Sequence, residues 1–291
     1  MPRPVTLGVD VGGTKTRVAL LDGSGAVIDV DEEPTGGAPR ADPGLRTSFA
    51  VAQRLAVRAT RADCELVGVG VGVPEFVDPS GRLRSSLVVA WDEQPMHLFA
   101  SIGPTVVESD VRCGALAEAA LGAGVGAASM LYVSVGTGIS CALVLEGRLW
   151  AGHRGEAIAL GELPVDRSAD PSSSATLEEF ASGGGIGQRH GRGLPARAVL
   201  ELAASGDESA SAVVQGAAAA LGAALAWAVS LVDPERIVLG GGLGTSGGTW
   251  LDLVRRRYEG MARPGAAPIE VARLGADSGV IGAALAARPA R

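Results

Sequence analysis

The chain has 291 residues, of which 47% are hydrophobic and 20% charged, so it can bury a large core and is long enough for one large or two medium domains. A formal net charge of -7 and a sequence pI near 5.1 argue against partners such as nucleic-acid phosphates or anionic lipid. Residues 1–4 have no apolar stretch of signal-peptide or membrane-spanning design, so we expect a cytoplasmic protein without nucleic-acid or membrane partners.

The three cysteines and three histidines give no sign of a metal site or of a disulfide framework. The cysteines are widely separated, odd in number and lie in or beside apolar segments, which is typical of buried thiols. The histidines have no metal-ligand spacing with each other and no nearby cysteine pair. The sequence therefore predicts no zinc site.

Strands and helices alternate along the predicted chain. The first half is predicted to contain strands at 7–11, 18–21 and 26–30, a helix at 45–59, strands at 66–73 and 104–108, and a helix at 113–121. The second half is predicted to contain strands at 130–135 and 141–145, helices at 177–181, 194–204 and 207–231, a strand at 236–239, a helix at 250–261, a strand at 269–274 and a helix at 278–287. A strand, a glycine turn and a second strand open both halves, so we predict an α/β fold with two similar halves.

The turn after the first strand combines residue types that suit a phosphate group. Asp10 ends the strand and is followed by Gly12, Gly13, Thr14 and Lys15. Glycines let backbone N–H groups approach an anion, hydroxyl and ammonium groups donate hydrogen bonds, and a carboxylate can hold Mg²⁺ directly or through water. The turn is not a P-loop, because a threonine separates the last glycine from the lysine and a strand follows. We predict a phosphate turn with Asp10 as the Mg²⁺ ligand; the alternative is a plain hairpin turn.

Two further glycine turns follow strands in the second half. Gly136, Thr137 and Gly138 lie between two predicted strands and offer a second phosphate-facing turn, so that two such turns could hold the phosphates of one nucleotide. A second run comes directly after the strand at 236–239 and consists of Gly240, Gly241 and Gly242. Gly242, Gly244 and Gly247 also match the spacing of a dinucleotide fingerprint, but we give this match no weight because the surrounding βαβ context is missing. We expect the run at 240–242 to lie against the adenosine.

Asp110 follows the strand at 104–108, where α/β sheets present reactive groups. A carboxylate at that position could accept the proton of an attacking hydroxyl in phosphoryl transfer. The local sequence equally allows a helix N-cap. From the residues alone both interpretations stay open.

Together these segments resemble the ROK family of sugar kinases and repressors, within the hexokinase and actin-like superfamily, over nearly the whole chain. The segments at 10–15 and 136–139 are similar to its two phosphate motifs, 72–79 to its early strand and turn, 232–242 to its adenosine segment and 275–284 to its closing helix. The resemblance implies a two-domain actin-like ATPase (ribonuclease H-like) fold with a cleft between the domains. It places an N-terminal domain at 1–111, completed by the helix 277–291, and a C-terminal domain at 112–276. It also implies a homodimer.

By the same resemblance, Asp110 matches the general base of an Asn-Asp pair, and Glu178 matches a glutamate that binds the sugar. Other acceptor positions depart from the family: Ser109 replaces the asparagine of the pair, and Leu87 lies near where a second asparagine is expected. A site that recognises particular hydroxyl groups by hydrogen bonds changes its substrate specificity when those contacts change, so we do not expect plain glucose to be the substrate.

The segment 155–165 departs from the family in the same way. A gapless match places Ala159 at a sugar-binding glutamate and Glu162 at a histidine. Glu156 and Glu162 are candidates for the vacated positions, with ordinary surface acids as the alternative. The family's zinc-binding cysteines are replaced by residues 168–176, in agreement with the absence of a zinc site.

The resemblance thus implies phosphorylation, by ATP and Mg²⁺, of a hydroxyl on a sugar, amino sugar or sugar-like cyclitol. Closure of the two domains would exclude water from the reaction. The alternative is a non-catalytic member that senses sugar, either a repressor or a pseudokinase. The acidic charge and the few residues before the first strand speak against a repressor, whose DNA-binding helix-turn-helix precedes that strand.

Overall fold

The computed structural model describes residues 2–165 and 175–288, and the chain forms two compact units. The first unit comprises Met1–Val125, Gly147–Ala157 and Ala276–Arg291, and the second comprises Gly126–Glu146 and Ile158–Gly275. Each unit has its own sheet and its own apolar core. The predicted α/β class is confirmed.

The elements are numbered in chain order. The strands are β1 Arg3–Val11, β2 Lys15–Leu21, β3 Val27–Pro34, β4 Cys64–Val73, β5 Thr105–Ser109, β6 Ser129–Val135, β7 Ile139–Leu145, β8 Arg148–Trp150, β9 Arg236–Gly240 and β10 Ile269–Val271. The helices are α1 Arg46–Arg61, α2 Pro95–Phe99, α3 Asp110–Leu121, α4 Leu177–Ala181, α5 Gly183–His190, α6 Ala196–Ala204, α7 Glu208–Val232, α8 Gly241–Gly244, α9 Gly248–Met261 and α10 Ser278–Ala286.

The sheet of the first unit has the order β3-β2-β1-β4-β5. Strands β1, β2 and β3 form an antiparallel meander, whereas β4 runs parallel to both β1 and β5. Helices α1 and α10 both pack against β1 and β4, which explains the nearly continuous apolar sequence of these two strands. Since β1, β4 and β5 are parallel, their carboxyl ends lie at one edge of the sheet.

Small residues allow α10 to lie unusually close to this sheet and to α3. A Cβ atom on Gly70 of β4 would overlap the carbonyl oxygen of Ala283, and one on Gly282 would overlap the carbonyl oxygen of Cys113. The closing helix is therefore held by backbone-to-backbone contact, for which only glycine leaves room.

The observed boundary between the two units differs from the predicted one, which lay between residues 111 and 112. That boundary falls at the second residue of α3, and the whole helix belongs to the first unit because it packs on α10. The segment Gly147–Ala157 also belongs to the first unit, although it had been predicted in the C-terminal domain.

In the second unit, β10, β9, β6 and β7 are neighbours in that order; β6 and β7 form a hairpin, and β6, β9 and β10 are parallel. Helix α7 packs against α9 and α6. Among the described residues it is the one helix that is long and apolar enough to span a membrane by length and composition. Its fully buried Ala217, Leu221 and Leu225 belong to the core of the unit, so the apolar character serves packing.

Four short elements had not been predicted, namely α2, α5, α8 and β8. Both α5 and α8 are rich in glycine, the poorest helix former after proline, so propensity gave no signal for them. Helix α3 begins at Asp110, three residues before its predicted start, and β10 ends at Val271, three residues before its predicted end. No disulfide joins the three cysteines, all of which are described; Cys113 is buried, whereas Cys64 and Cys141 are only partly buried.

Candidate active site

Three carboxylates lie at the carboxyl ends of the parallel strands of the first unit. Asp10 is the penultimate residue of β1, Glu75 follows β4 by two residues, and Asp110 follows β5 directly. The strands are in register here, because Asp10 pairs with Gly72 and Gly72 pairs with Glu108. The topology thus brings together two acids that the sequence predicted and a third that it did not.

Asp110 lies in an environment that raises its pKa toward neutral pH. It is the first residue of α3 and is partly buried, and its Oδ1 accepts a 2.6 Å hydrogen bond from the backbone N–H of Val111. The pKa of Asp110 is raised from 3.8 to about 6. Burial is the largest cause and the charge of Glu75 adds to it, whereas the Val111 N–H, the Ser109 hydroxyl and the Arg112 charge lower the pKa. A proton acceptor is most effective when its pKa lies near the working pH.

Asp10 is electrostatically coupled to Asp110. The pKa of Asp10 is raised from 3.8 to about 7. Burial is the largest cause and the charge of Asp110 adds to it, whereas the charges of Lys15 and Arg17 lower the pKa. A Cβ atom on Gly279, at the start of α10, would lie 2.5 Å from Oδ2 of Asp10, so the carboxylate lies against the first turn of that helix.

This acidic pair fits a hard divalent cation. A positive charge near two neighbouring carboxylates would reduce their mutual repulsion and favour their ionised forms. Among the described residues there is no cluster of three or more His, Cys, Asp or Glu side chains that could hold a metal by itself. Mg²⁺ commonly takes one or two carboxylates and completes its octahedron with phosphate oxygens and water, so this donor set suits it.

The turn at residues 12–15 is closed by its own backbone and supported by Thr35. The N–H of Gly12 donates to the carbonyl oxygen of Lys15 (2.9 Å). Thr35 donates from Oγ1 to the carbonyl oxygen of Gly12 (2.8 Å) and from its N–H to that of Thr14 (2.9 Å). Lys15 Nζ forms an exposed ion pair with Glu32 (2.7 Å). The predicted turn is therefore present, and Thr35, which sequence reasoning missed, keeps it in shape.

The second turn, Gly136–Gly138, joins β6 to β7 and is held by the start of α5. The N–H of Gly136 donates to the carbonyl oxygen of Gly138 (2.9 Å). The N–H groups of Gly183 and Gly184 donate to the carbonyl oxygens of Gly136 (2.7 Å) and Thr137 (3.1 Å). The unpredicted helix α5 thus fixes the predicted turn.

Glu178, on α4, is the other support of this second turn. Its Oε2 accepts a 2.8 Å hydrogen bond from the N–H of Ile139, and a Cβ atom on Gly138 would lie 2.5 Å from the same oxygen. The side chain is otherwise exposed. Its predicted contact with a sugar stays a prediction.

The glycine run at 240–242 lies beside the second turn. Gly240 ends β9, which is parallel to β6, and Gly241 begins α8 with a φ of 77°, which favours glycine. The N–H nitrogen of Gly242 is 3.9 Å from the position of a Cβ atom on Gly136, and Gly242 itself faces open space. The two glycine segments are therefore neighbours within this unit, and the contact of residues 240–242 with an adenosine stays a prediction.

The remaining residues predicted to contact the acceptor differ in their burial. Ser109 is buried beside Asp110, whereas Glu156 in the first unit and Glu162 in the second are exposed. Glu156 forms a surface ion pair with Arg154 (2.7 Å). Most of the segment 168–176, which replaces the family's zinc-binding cysteines, lies outside the described residues.

Two charged residues that sequence reasoning missed are buried next to this site. Glu75 accepts four hydrogen bonds, and Arg112 reaches Glu108, Val77 and Gly155. The available signal was a charge within an otherwise apolar stretch: Glu75 follows the glycine and valine run of β4, and Arg112 lies in a helix rich in alanine.

Two α/β units, each with a glycine turn between two antiparallel strands, and acidic residues at the strand ends of the first unit agree with an actin-like ATPase fold. The chain belongs to the ROK family, whose model matches residues 6–289. The resemblance expected from the motifs and the predicted fold class are both confirmed.

Relatives with established names lie within this family. The chain is similar to the glucokinase of Halalkalibacterium halodurans (30% identity over 309 residues, 95% of this chain and 92% of the relative) and to the kanosamine kinase of Amycolatopsis mediterranei (28% identity, 97% and 96%). Among solved structures, it is similar to the ROK hexokinase from Thermus thermophilus (TM-score 0.83, 30% identity, 97% of each chain). It is also similar to a ROK glucokinase from Streptomyces griseus in complex with glucose and AMPPNP (TM-score 0.78, 26% identity, 97% and 99%).

Proposed function

We propose that the chain is a carbohydrate kinase that uses ATP and Mg²⁺ to phosphorylate a hydroxyl of a sugar, amino sugar or sugar-like cyclitol. The observation that carries this proposal is Asp110 at the end of β5, with a pKa near 6 and a second carboxylate, Asp10, coupled to it. Relatives named as glucokinase and kanosamine kinase support a sugar-like acceptor.

Asp110 acts as the general base in this proposal. As the acceptor oxygen attacks the γ-phosphorus, its proton passes to a carboxylate oxygen of Asp110. Oδ1 is oriented by the Val111 N–H, so the side chain needs no rearrangement before the transfer. Ser109 lies next to the base and is proposed to contact the acceptor there.

Asp10 would hold Mg²⁺, directly or through water, and the N–H groups and hydroxyl of Gly12, Gly13 and Thr14, with Lys15, would hold phosphate oxygens. When bound, Mg²⁺ neutralises charge on the phosphates. The relative from Streptomyces griseus was solved with AMPPNP, which supports a nucleoside triphosphate as the donor.

The second unit supplies further nucleotide contacts in this proposal. The turn at Gly136, Thr137 and Gly138 would contact phosphate, and the exposed face of Gly242, with Gly240 and Gly241, would accept the adenosine. Glu178 would contact the acceptor with Oε1 while its Oε2 holds the Ile139 N–H.

The acceptor is proposed to differ from glucose, because Ser109 and Leu87 lack the amide groups that the resemblance leads us to expect. Glu156 and Glu162 are exposed and ionisable, so an amino group on the acceptor would suit either of them. The cytoplasmic location, the homodimer and the absence of nucleic-acid and membrane partners remain predictions.

The test is an assay of ADP release by the purified chain with ATP and Mg²⁺ over a panel of hexoses, amino sugars, N-acetylated amino sugars and cyclitols. We expect release that depends on one class of acceptor and is lost in the Asp110→Asn variant. If every acceptor leaves ADP release at its background while a sugar still binds, the non-catalytic sensor or pseudokinase replaces the kinase.

A further inference from the structure

The carboxylate of Glu75 is buried and saturated with hydrogen-bond donors. The residue is 3% exposed. Its Oε2 accepts from Ser85 Oγ (2.5 Å) and the N–H of Leu87 (2.8 Å), and its Oε1 accepts from the N–H groups of Val88 (2.7 Å) and Val89 (2.9 Å). Burial of a carboxylate is costly unless such donors replace water. No Lys, Arg or His in the described part of the chain forms an ion pair with it.

The four donors belong to a single loop segment, residues 85–89. Three of them are consecutive backbone N–H groups, which an irregular loop cannot satisfy within itself. Trp91 fastens the beginning of the segment by donating from Nε1 to the carbonyl oxygen of Ser85 (3.0 Å). The conformation of this segment therefore depends on the Glu75 carboxylate.

The segment also lies against the first phosphate turn and is hydrogen-bonded to the loop at residue 41. Val88 Cγ1 is 3.2 Å from the position of a Cβ atom on Gly13, and the carbonyl oxygen of Val88 accepts from the N–H of Ala41 (3.0 Å). On its other side, Glu75 is near enough to Asp110 for its charge to raise the pKa of that residue. The segment therefore approaches the phosphate turn through Val88, and the carboxylate that holds it acts on the proposed base through its charge.

Leu87 is the exposed apolar residue of the segment, in which Ser86 is exposed as well. Its side chain is among the exposed apolar ones (63%), whereas its N–H is bound to Glu75 and the side chain of Val89 is buried. An exposed leucine on a rigid backbone presents an apolar surface at a fixed position.

We infer that Glu75 is a positioning residue, which fixes residues 85–89 so that Leu87 forms an apolar wall for the acceptor beside the phosphate turn. The inference rests on the proposed kinase function and deepens it. It predicts that the part of the acceptor that contacts Leu87 is a nonpolar face or substituent rather than a hydroxyl that needs a hydrogen-bond partner.

The experiment compares Glu75→Gln with Glu65→Gln, a matched control at an exposed glutamate of β4. Glutamine keeps the size of the side chain but turns an NH₂ group toward backbone N–H donors, so part of the hydrogen bonding is lost. Ser85→Ala is the milder second variant, because it removes one of the four donors to Glu75, together with the acceptor of the Phe76 N–H (2.9 Å). Each protein is assayed with the acceptor that the wild type uses best, and KM for the acceptor, KM for ATP and kcat are measured separately.

We expect Glu75→Gln to raise the acceptor KM roughly tenfold or more, with kcat and the KM for ATP changed less than about threefold. Ser85→Ala should change the same constant by a smaller factor, and Glu65→Gln should change none. In a double-mutant cycle, Leu87→Ala should raise the acceptor KM much less in the Glu75→Gln background than in the wild type. Hydrogen exchange at the N–H groups of Leu87, Val88 and Val89 should be faster in Glu75→Gln.

The inference would be overturned if the acceptor KM stayed unchanged in both Glu75→Gln and Ser85→Ala. It would also be overturned if the effects of Glu75→Gln and Leu87→Ala were additive. Neither result would affect the proposed kinase function. A purely structural role would lower thermal stability and the amount of active enzyme without this selective change in KM, and would also overturn the inference. If Glu75→Gln does not fold, the acceptor KM of Ser85→Ala and the double-mutant cycle of Ser85→Ala with Leu87→Ala test the inference by the same criteria. Absence of acceptor-dependent ADP release in the wild type is a different result, because it overturns the proposed function itself.

Discussion

Arg112, on α3, donates a 3.0 Å hydrogen bond from Nη1 to the carbonyl oxygen of Gly155, which lies 43 residues further along the chain. The same guanidinium donates from Nη2 to the carbonyl oxygen of Val77 (2.6 Å) and from Nε to Glu108 (2.5 Å). Gly155 has a φ of 83°, and a Cβ atom on it would overlap the carbonyl oxygen of Val77. One buried side chain thus ties the segment Gly147–Ala157 to the strand ends of the first unit.

Replacing Arg112 should therefore be costly. In Arg112→Met the carboxylate of Glu108 and two backbone carbonyl groups lose their buried partner, so we expect the free energy of unfolding to fall by about 3–5 kcal/mol. Urea denaturation followed by circular dichroism measures the change. Arg197→Met is the control, since Arg197 and Glu201 form an i,i+4 pair on the surface, and its midpoint should not move measurably. Equal midpoints for both variants would contradict a structural role for Arg112.

Asp110→Asn should abolish turnover while leaving nucleotide binding intact. Asparagine keeps an oxygen for the Val111 N–H but cannot accept the acceptor's proton, so we expect kcat to fall about 10²–10⁴-fold. Nucleotide affinity is measured in parallel by calorimetry. Asp252→Asn, at an exposed position of α9, should behave as the wild type. Near-normal turnover in Asp110→Asn would reject the assignment of the base.

The same variant should change the pH dependence of stability in the absence of nucleotide and metal. The pKa of Asp110 is raised from 3.8 to about 6 in the folded chain, so its ionised form destabilises the fold above pH 6, and this penalty disappears as the pH falls from 6 toward 3.8. Asparagine is neutral throughout. Asp110→Asn should thus be more stable than the wild type at pH 7.5, by about 1–3 kcal/mol, and this advantage should shrink at pH 5.

Thermal or urea unfolding at both pH values measures this difference. Glu65→Gln, at an exposed carboxylate, provides the comparison. An advantage of Asp110→Asn that is the same at pH 5 and pH 7.5 would show that ionisation of Asp110 is not its cause.

Gly70→Ala should destabilise the first unit strongly. The added methyl group would overlap the carbonyl oxygen of Ala283, so α10 would have to move away from β4. We expect a loss of more than about 3 kcal/mol, or failure to fold. Gly23→Ala is the control, because a Cβ atom at that exposed turn meets nothing within 4 Å. Melting temperatures of the two variants decide the matter, and a Gly70→Ala protein as stable as the control would refute the close approach of α10.

Two substitutions of Glu178 should separate its support of the second turn from its proposed contact with the acceptor. Glu178→Ala leaves the Ile139 N–H without its carboxylate, so the KM for ATP and the KM for the acceptor should both rise, each by roughly tenfold. Glu178→Gln retains an oxygen for that N–H and should raise the acceptor KM selectively. Steady-state kinetics with each substrate varied in turn measures both constants. If Glu178→Gln impairs ATP and acceptor equally, the proposed division of labour is wrong.

Much of the candidate site could be predicted from short sequence patterns. Because β1 and β5 are parallel strands with apolar interiors, the acids at their carboxyl ends had to lie at one edge of the sheet, and Asp10 and Asp110 do so. The hairpin turns at 12–15 and 136–138 could be predicted from local pattern, because glycines between two strand-like apolar runs are typical of a turn that joins two strands.

Other features depend on neighbours that are far away in the sequence. Helix α5 contains three consecutive glycines and forms because Ser182 caps it and its first N–H groups bind the second turn, which no local propensity reveals. The division into units likewise follows from the contact of α3 with α10, which are separated by more than 150 residues.

The sequence by itself determined the alternation of strands and helices, the turns and the family, because these depend on periodicity and on motifs of a few adjacent residues. Only the tertiary structure decided the roles of Glu75 and Arg112. A buried charge is tolerable only where donors and acceptors converge on it. Apart from Glu108, which precedes Arg112 by four residues, the partners of these two side chains come from segments that the fold brings within hydrogen-bonding distance.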